Sequence, residues 1–351
     1  MNKHMKIIIF TGYFFVFCFG VVAWTAGQGA GNDIRPGSGV TVQKLLSDYL
    51  PSLAETPGDT PVYFMNGKDP GATVLVAGGT HGNEIAGILA AAVLVEHARV
   101  QKGRVIVIPH ANNSAIGYVD AKRPGPAMIV FDSPGGKRRF RVGSRLTRPE
   151  DQGEGDPAKY RHPDSAEELD GVEARNLDRA YPGRSDGNLT QRVAHAIMLL
   201  LRREAVDVAF DLHESGPDSR LAWMVVANPK NIDVAAGAIL TLDAAGIPMK
   251  LEPSSDSFRG LSHREWGDAT RAQAYLFETP NPAMGERRGA VVDVVNDPEL
   301  PLARRVGVQL ATLVAILDAY NESAPANLSV KLLDVPGLQQ VMASGVGAFL
   351  K

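Results

Sequence analysis

Short apolar runs alternate along the chain with longer stretches in which apolar residues recur three and four positions apart. The short runs predict strands, at residues 62–65, 72–77, 104–108, 206–212, 221–227 and 274–277. The longer stretches predict helices, at residues 43–50, 84–99, 190–204, 234–245 and 303–321. This alternation predicts an α/β fold with a mixed, mostly parallel central sheet and helices on both of its faces.

Residues 120–175 interrupt this rhythm, because they are rich in Pro, Gly and charged residues. Within them, residues 128–132 and 138–142 flank Ser-Pro-Gly-Gly and predict a β-hairpin arm with a loop of four to five residues. The arm and its flank are basic through Arg138, Arg139, Arg141, Arg145 and Arg148. Two interpretations are open: an insertion that borders the active-site cleft, or a surface hairpin whose arginines contact water and nearby carboxylates.

The N-terminus has the pattern of a targeting segment. Lys3 and Lys6 precede an uncharged apolar run at residues 7–24, and small residues follow at 25–31. This predicts either a cleaved signal peptide or an uncleaved membrane anchor, and in both cases an exported domain that is periplasmic or secreted. The remaining boundaries are predicted as a lead-in at 31–60, a catalytic domain at 61–322 and an irregular tail at 323–351.

Composition narrows the classes of function. The 351 residues are 44% hydrophobic and 21% charged, which is ordinary for a globular protein. A net charge of −3 gives no electrostatic argument for a nucleic-acid partner. The single cysteine, Cys18, lies in the N-terminal apolar run. If that run is removed, a disulfide framework, a thiol nucleophile and a cysteine metal site are all excluded.

Candidate chemistry begins with Gly-Gly-Thr-His-Gly-Asn-Glu at residues 78–84, where a predicted strand gives way to a predicted helix. His81 and Glu84 are three positions apart, so one helical turn would place them on the same face. Two His and one carboxylate are a common ligand set for catalytic zinc, with the fourth position left to water. Gly78 and Gly79 lack the Gly-Lys-Ser/Thr ending of a phosphate loop and are expected to permit a tight turn.

Two further strand ends carry matching side chains. His213 follows the strand predicted at 206–212, and Glu278 ends the strand predicted at 274–277. In open α/β sheets, ligands bind at the carboxyl ends of the strands, so we expect these side chains to converge with His81 and Glu84. A carboxylate there that does not bind metal suits a general base. Asp211, on the same strand face as His213, either orients that ligand or is a polar strand-end residue without a role.

These residues resemble a known family. His-Gly-Asn-Glu, Asp-Leu-His, a late strand-end Glu and Arg-Asn-Leu-Asp-Arg-Ala-Tyr-Pro-Gly at 175–183 are similar to motifs of the succinylglutamate desuccinylase/aspartoacylase family, a branch of the zinc carboxypeptidase-like fold. The likeness covers roughly residues 62–320. It implies one zinc ion per chain held by His81, Glu84 and His213, a general base at Glu278 and a substrate-binding Arg179. The family motif has Asn before that arginine, whereas this chain has Asp178.

Several assignments stay open. Asn176, Asp178 and Arg179 are candidates for substrate binding, but Asn176 and Arg179 can also cap and brace the turn at 181–183. Glu278 can instead cap a turn. Arg145 either stabilises a developing oxyanion or is a solvated surface residue. Four further histidines are expected to be structural, at the surface or without a signal: His110, His162, His195 and His263.

The predicted function is hydrolysis of an amide bond, with an N-acyl amino acid or similar small amide as substrate. One alternative uses the same residues as a zinc carboxypeptidase on short or cell-wall peptides. Non-enzymatic alternatives are a zinc-stabilised binding protein and a membrane-anchored scaffold tethered through residues 7–24 that uses the basic hairpin.

Overall fold

The computed structural model describes residues 34–119, 126–257, 259–285 and 292–351. Within them, the strands are β1 (Val42–Leu45), β2 (Pro61–Asn66), β3 (Asp69–Gly78), β4 (Arg99–Ile108), β5 (Met128–Ser133), β6 (Gly136–Arg141), β7 (Lys159–Tyr160), β8 (Leu169–Asp170), β9 (Val208–Ser215), β10 (Met224–Ala227), β11 (Lys250–Pro253), β12 (Gln273–Pro280) and β13 (Lys331–Leu333). The α-helices are α1 (Ile85–His97), α2 (Asn113–Gly117), α3 (Pro149–Gln152), α4 (Leu189–Arg203), α5 (Ile232–Ala244), α6 (Ser262–Ala269), α7 (Leu302–Ser323) and α8 (Leu338–Ser344).

One large mixed sheet organises the fold. Its strands run in the order β1-β2-β4-β3-β9-β12-β10-β11, and β13 pairs with β4 outside this path. The central strands β4, β3, β9 and β12 are parallel, whereas β1, β2 and β10 pair with their inner neighbours in antiparallel fashion. The predicted mixed α/β class is confirmed. The parallel registers place Ala77 beside Asp211 and Glu278 beside His213, so the three strand ends meet at one edge.

Helix α1 is buried between the sheet and α7. Every residue of α1 except His97 is buried, and a helix that is apolar on all sides requires such a site. The contact with β9 is at backbone distance, because a Cβ atom on Gly87 would lie 2.3 Å from the carbonyl oxygen of Leu212. Helices α5 and α7 complete this layer. The close approach of α1 brings Glu84, which precedes it, next to His213.

The opposite face of the sheet is covered by α4 and α6. Helix α4 buries an apolar stripe that includes Leu189, Val193 and Ile197, as its amphipathic pattern predicts. Helix α6 contributes the fully buried Trp266. Both helices pack in a second hydrophobic core with Leu75 of β3, Ile106 of β4 and Ala209 of β9.

The hairpin β5–β6 packs into the core. It is confirmed as a hairpin, but its loop has two residues, since Ser133 pairs with Gly136. Arg138 is fully buried, and its guanidinium donates to both carboxylate oxygens of Glu96 in α1, each at 2.7 Å. The interpretation of a solvated hairpin is therefore wrong for Arg138. Arg148, in contrast, is exposed and contacts Glu150 at 2.8 Å.

Two other expectations are corrected by the structure. Residues 43–50 were predicted as an amphipathic helix but form β1 and a 3-10 turn at Leu46–Asp48. The tail predicted as irregular contains β13, α8 and a 3-10 turn at Val346–Phe349. Val330, Val341 and Leu350 are buried in the main hydrophobic core, which explains why this segment is ordered.

The predicted targeting segment at residues 7–24 lies outside the described residues. Among the helices of the described ranges, none is both long and apolar enough to cross a bilayer.

Candidate metal centre

His81, Glu84 and His213 meet at the carboxyl edge of the sheet, as predicted. Their potential ligand atoms lie within 4.8 Å of one another, and all three side chains are buried. His81 stands in the turn after β3, where Gly79 has a φ of +69° that favours glycine. Glu84 directly precedes α1. His213 lies inside β9 rather than after it, because that strand continues to Ser215.

Glu84 is placed between the two imidazoles. Its Oε1 lies 2.7 Å from Nδ1 of His81, and its Oε2 lies 3.0 Å from Nδ1 of His213. Oε2 also accepts a hydrogen bond from the backbone N–H of Glu214 at 3.0 Å. Both histidines therefore direct the same ring nitrogen toward one carboxylate. Burial opposes ionisation of Glu84, but the two imidazoles outweigh it and lower its pKa.

Asn176 determines which nitrogen of His81 carries the proton. Its Oδ1 accepts from the backbone N–H of Asp178 at 3.0 Å, and its Nδ2 donates to Glu173 at 2.6 Å. These two contacts fix the orientation of the amide. Nε2 of His81, 2.8 Å from Oδ1, must therefore be the donor, which leaves Nδ1 facing Glu84.

The arrangement of donors and acceptors fits a bound cation. Burial outweighs the attraction of Glu84 and lowers the pKa of His81. A positive charge, either a proton on Nδ1 or a metal ion, is required between Nδ1 of His81 and the carboxylate of Glu84, which are 2.7 Å apart. Two imidazole nitrogens and one carboxylate are a usual donor set for a divalent transition metal. The residues present therefore fit a metal site.

Asp211 supports His213 from the far side of the ring. Nε2 of His213 lies 2.9 Å from Oδ2 of Asp211, although the N–H direction is not aligned as in a good hydrogen bond. Oδ1 of Asp211 accepts from the hydroxyl of Thr80 at 2.8 Å. Burial alone would lower the pKa of His213, but Asp211 and Glu84 outweigh burial and raise it well above its ordinary value. Of the two interpretations of Asp211, this contact favours the orienting one.

Glu278 lies beside His213 in the neighbouring strand and faces the pocket. Its Oε2 is buried and has no hydrogen-bond partner among the described residues. Burial first, and then the charge of Glu84, raises the pKa of Glu278 well above its ordinary range. Glu278 is inside β12, and the alternative that it caps a turn finds no hydrogen bond to support it in the described part of the chain.

His81, His213 and Glu278 line a cavity of about 320 Å³. Arg145 and Arg179 are in its lining. Nε of Arg145 lies 3.9 Å from Glu173, and Arg179 donates to the backbone carbonyl of Asp178 at 2.6 Å. Both guanidinium groups are partly exposed to the cavity. For Arg145, this position favours a role at the site over that of a solvated surface residue.

The other two candidates for substrate binding, Asn176 and Asp178, form hydrogen bonds that stabilise local structure. Asn176 is fully buried against His81 and caps the 3-10 turn at Leu177–Arg179, so the capping interpretation is supported. Asp178 reaches the cavity wall, but its Oδ1 accepts the backbone N–H of Ser262 at the start of α6, at 2.7 Å. An acidic side chain is favourable at a helix N-terminus. This contact gives a structural reason for Asp at the position where the family motif has Asn.

Two histidines of the cavity lining were not identified from the sequence. His263 on α6 is buried, contacts the hydroxyl of Ser254 at 3.0 Å and has a pKa lowered by burial to about 4. His162 donates through Nε2 to the backbone carbonyl of Tyr181 at 2.8 Å. Neither lies in a periodic stretch with a partner at metal-ligand spacing, so no local signal marks them.

We expect the substitution Asn176→Ala to lower metal affinity by about 10- to 100-fold, since groups that orient a ligand typically contribute that much. Competition with a chromogenic chelator would measure it. Asn112→Ala, which removes another buried amide that caps a helix, is the matched control and should leave affinity unchanged. Equal affinity of the Asn176→Ala and wild-type proteins would contradict the role of Asn176.

The fold and site define a class, an α/β protein with a mixed central sheet and a His-Glu-His group at the carboxyl edge of that sheet. The tripeptide-bound cell shape determinant Csd4 from Helicobacter pylori has this fold. The two sequences are 14% identical. The structural match covers 80% of this chain and 59% of the Csd4 chain, with a TM-score of 0.51. A succinylglutamate desuccinylase from Silicibacter is 19% identical to this protein. That match covers 74% of this chain and 60% of the desuccinylase, with a TM-score of 0.44.

Among curated sequences, the chain is similar to the N-alpha-acetyl-L-2,4-diaminobutyric acid deacetylase of Halomonas elongata. The two are 28% identical over 151 residues, which are 42% of this chain and 30% of the deacetylase. The chain thus spans less than a third of that relative and about three fifths of each solved one. No family model matches the chain. The predicted resemblance to the succinylglutamate desuccinylase/aspartoacylase family is confirmed as a resemblance.

Proposed function

We propose that this protein is a zinc-dependent hydrolase that deacylates an N-acyl amino acid or a similar small amide. The observation that carries the proposal is Glu84 held between two Nδ1 atoms, beside Glu278, whose Oε2 has no hydrogen-bond partner among the described residues. Zinc held by His81, Glu84 and His213 would supply Lewis acidity, which polarises a carbonyl and acidifies water.

The side chains of the protein perform the remaining work. Glu278 takes a proton from water, whose oxygen adds to the carbonyl carbon of the amide. Glu278 then delivers that proton to the amine nitrogen as the carbon–nitrogen bond breaks, so the products are an acid and a free amine. Arg145 and Arg179 hold a substrate carboxylate or stabilise the oxyanion. Asn176 and Asp211 keep the two imidazoles in position.

The curated relative supports deacylation, because it is named a deacetylase. The tripeptide bound to the solved Csd4 relative supports the alternative, a carboxypeptidase acting on short or cell-wall peptides, at the level of the fold. A zinc-stabilised binding protein is the non-enzymatic alternative. Within the described part of the chain, Oε2 of Glu278 has no hydrogen-bond partner, which supports an enzyme, since a site that only binds has no use for a base there.

We also propose that the domain is exported. The support is the pattern of Lys3 and Lys6 followed by the uncharged run at residues 7–24. The mass of the mature N-terminus, measured on protein from the native host, would distinguish a cleaved signal peptide from an anchor.

The test of the activity is metal analysis of the purified protein together with assays on N-acyl amino acids and short peptides. We expect about one zinc per chain and release of a free amine that a chelator abolishes and added zinc restores. Preference for N-acyl amino acids supports the deacylase, and preference for peptides supports the carboxypeptidase. A protein that binds zinc but cleaves neither class would be the binding protein. A protein that binds no metal would overturn the deacylase, the carboxypeptidase and the binding protein alike.

A further inference from the structure

One wall of the cavity is apolar. Val226 of β10 and Leu276 of β12 are direct partners in the sheet, and both are almost fully buried. With Met224 they form a small hydrophobic cluster, separate from the two larger cores, against which Leu221 packs. Leu221, Val226 and Leu276 all line the cavity. This cluster, which we call the β10–β12 patch, therefore lies outside the main cores and presents apolar surface to a ligand.

The β10–β12 patch adjoins the proposed general base. Leu276 precedes Glu278 by two positions, so both side chains are on the same face of β12. Met224, in the neighbouring strand β10, is paired directly with Glu278. A group bonded close to the scissile amide would therefore contact this patch when the amide lies beside Glu278.

The arginines of the cavity differ in how firmly they are paired. Arg259 is held by Glu265 at 3.0 Å and by Asp268 at 3.3 Å, so its charge is largely neutralised. Arg145 and Arg179 have carboxylate partners only at 3.9 and 3.8 Å among the described residues. These two are the cations best placed to receive a carboxylate from a ligand.

We propose that the substrate is an amide with an uncharged apolar group on the β10–β12 patch and a carboxylate at Arg145 and Arg179. This rests on the proposed function and names its substrate class. An acidic or basic group at the patch would lose its hydration without gaining a partner, which is costly. An apolar group there would instead be removed from water. A cavity of about 320 Å³ limits that group to a small one.

The apolar group can belong to the acyl half or to the amino acid, and two substrate series distinguish these. The zinc-loaded enzyme is assayed on N-acetyl derivatives of Ala, Leu, Met, Asp, Glu and Lys. It is also assayed on N-acetyl, N-propionyl, N-butyryl and N-succinyl derivatives of one amino acid. In the series that contacts the patch, we expect kcat/KM to rise by about fourfold per added methylene, and the charged members to be at least tenfold poorer.

If the charged members are cleaved as well as the apolar ones in both series, the apolar subsite is wrong while the deacylase proposal stands. If no amide in either series is cleaved, the proposed function fails and the subsite falls with it.

The substitution Val226→Thr tests the position of the subsite, because it keeps the side-chain shape and replaces a methyl group with a hydroxyl. We expect the ratio of kcat/KM between the longest and shortest apolar substrates to fall by about threefold or more, with zinc content unchanged. Val42→Thr, on the exposed side of β1, is the matched control and should keep the wild-type ratio. An unchanged ratio in well-folded Val226→Thr protein would place the apolar group elsewhere and overturn the proposal.

Discussion

The substitution Glu278→Gln is expected to lower kcat by about 100- to 10,000-fold, the usual contribution of a positioned general acid–base group. Glutamine has the same shape as glutamate but cannot accept and release a proton at its amide. Because Oε2 of Glu278 has no partner among the described residues, the exchange breaks no hydrogen bond of that atom. We therefore expect the variant to fold normally and to retain its zinc.

The measurements are kcat on a cleaved substrate and zinc content, made in parallel on both proteins. Glu150→Gln, which changes an exposed carboxylate of α3 in the same way, is the control and should match the wild type. Retention of more than a tenth of wild-type kcat would show that Glu278 is not the base. Loss of zinc in the variant would instead indicate that Glu278 helps to hold the metal.

The environment of Glu278 supports its proposed role as both acceptor and donor of the proton. Burial and the nearby charge of Glu84 raise its pKa, which favours the protonated form that the leaving amine needs. A divalent cation bound nearby favours the ionised form that water needs. The balance of the two brings the carboxyl closer to the working range of a general acid–base group.

The parts of the fold that were predicted correctly are those in which burial follows a local pattern. Helix α1 and residues 72–78 of β3 are almost entirely buried, so their apolar composition alone reveals them. The prediction of a helix at residues 43–50 was wrong, because the apolar residues of a four-residue strand and the turn after it happen to have helical spacing. What makes β1 a strand is its pairing with β2, where Val42 is opposite Phe64, and a tertiary contact of this kind overrides local propensity.

The C-terminal segment was missed for a related reason. β13 is only three residues long, and it is stabilised by pairing with β4, more than two hundred residues earlier in the chain. The backbone of Lys351 is held by Arg138 and Glu96, which come from the hairpin and α1. No pattern within the segment itself reports these partners.

The residues of the candidate site likewise fall into those with a local sequence signal and those without one. His81, His213 and Glu278 were identifiable because each follows or ends a predicted strand, and the sheet brings such ends together. Glu84 was identifiable from its spacing of three positions from His81. The contact of Asp178 with the N-terminus of α6 joins residues 84 positions apart and has no local signature. His263 enters the cavity through that same helix. The residues predicted best are thus those placed by the sheet, and those missed are placed by loops and helix ends.

A second large effect is expected from Arg305→Met, which should lower the free energy of unfolding by about 3–5 kcal/mol, the usual cost of leaving one member of a buried ion pair alone. Arg305 in α7 and Glu214 in β9 form an ion pair with both side chains fully buried. Arg305 also donates to the backbone carbonyls of Val294 and Leu300. Its loss therefore leaves a buried carboxylate and two carbonyls without their donor.

The effect should extend to the metal centre, because Glu214 connects the elements that position it. Oε2 of Glu214 accepts from the backbone N–H of Ala86 in α1 and from the side chain of Asn281, each at 3.0 Å. The backbone N–H of Glu214 donates to Glu84. A shift of Glu214 toward solvent or toward protonation would displace Glu84, so we expect weaker zinc binding in the variant.

Urea unfolding in the presence of a chelator measures the free energy of unfolding without any contribution from bound metal. Competition with a chelator then measures zinc affinity. Arg148→Met, which breaks the exposed contact with Glu150, is the control and should leave the unfolding midpoint unchanged. The double variant Glu214→Gln/Arg305→Met should lose less than the sum of its single variants, because the unpaired charge is removed. A cost below about 1 kcal/mol for Arg305→Met would mean that the pair contributes no more than a surface contact, and that Glu84 is positioned by the backbone of α1 and β9 instead.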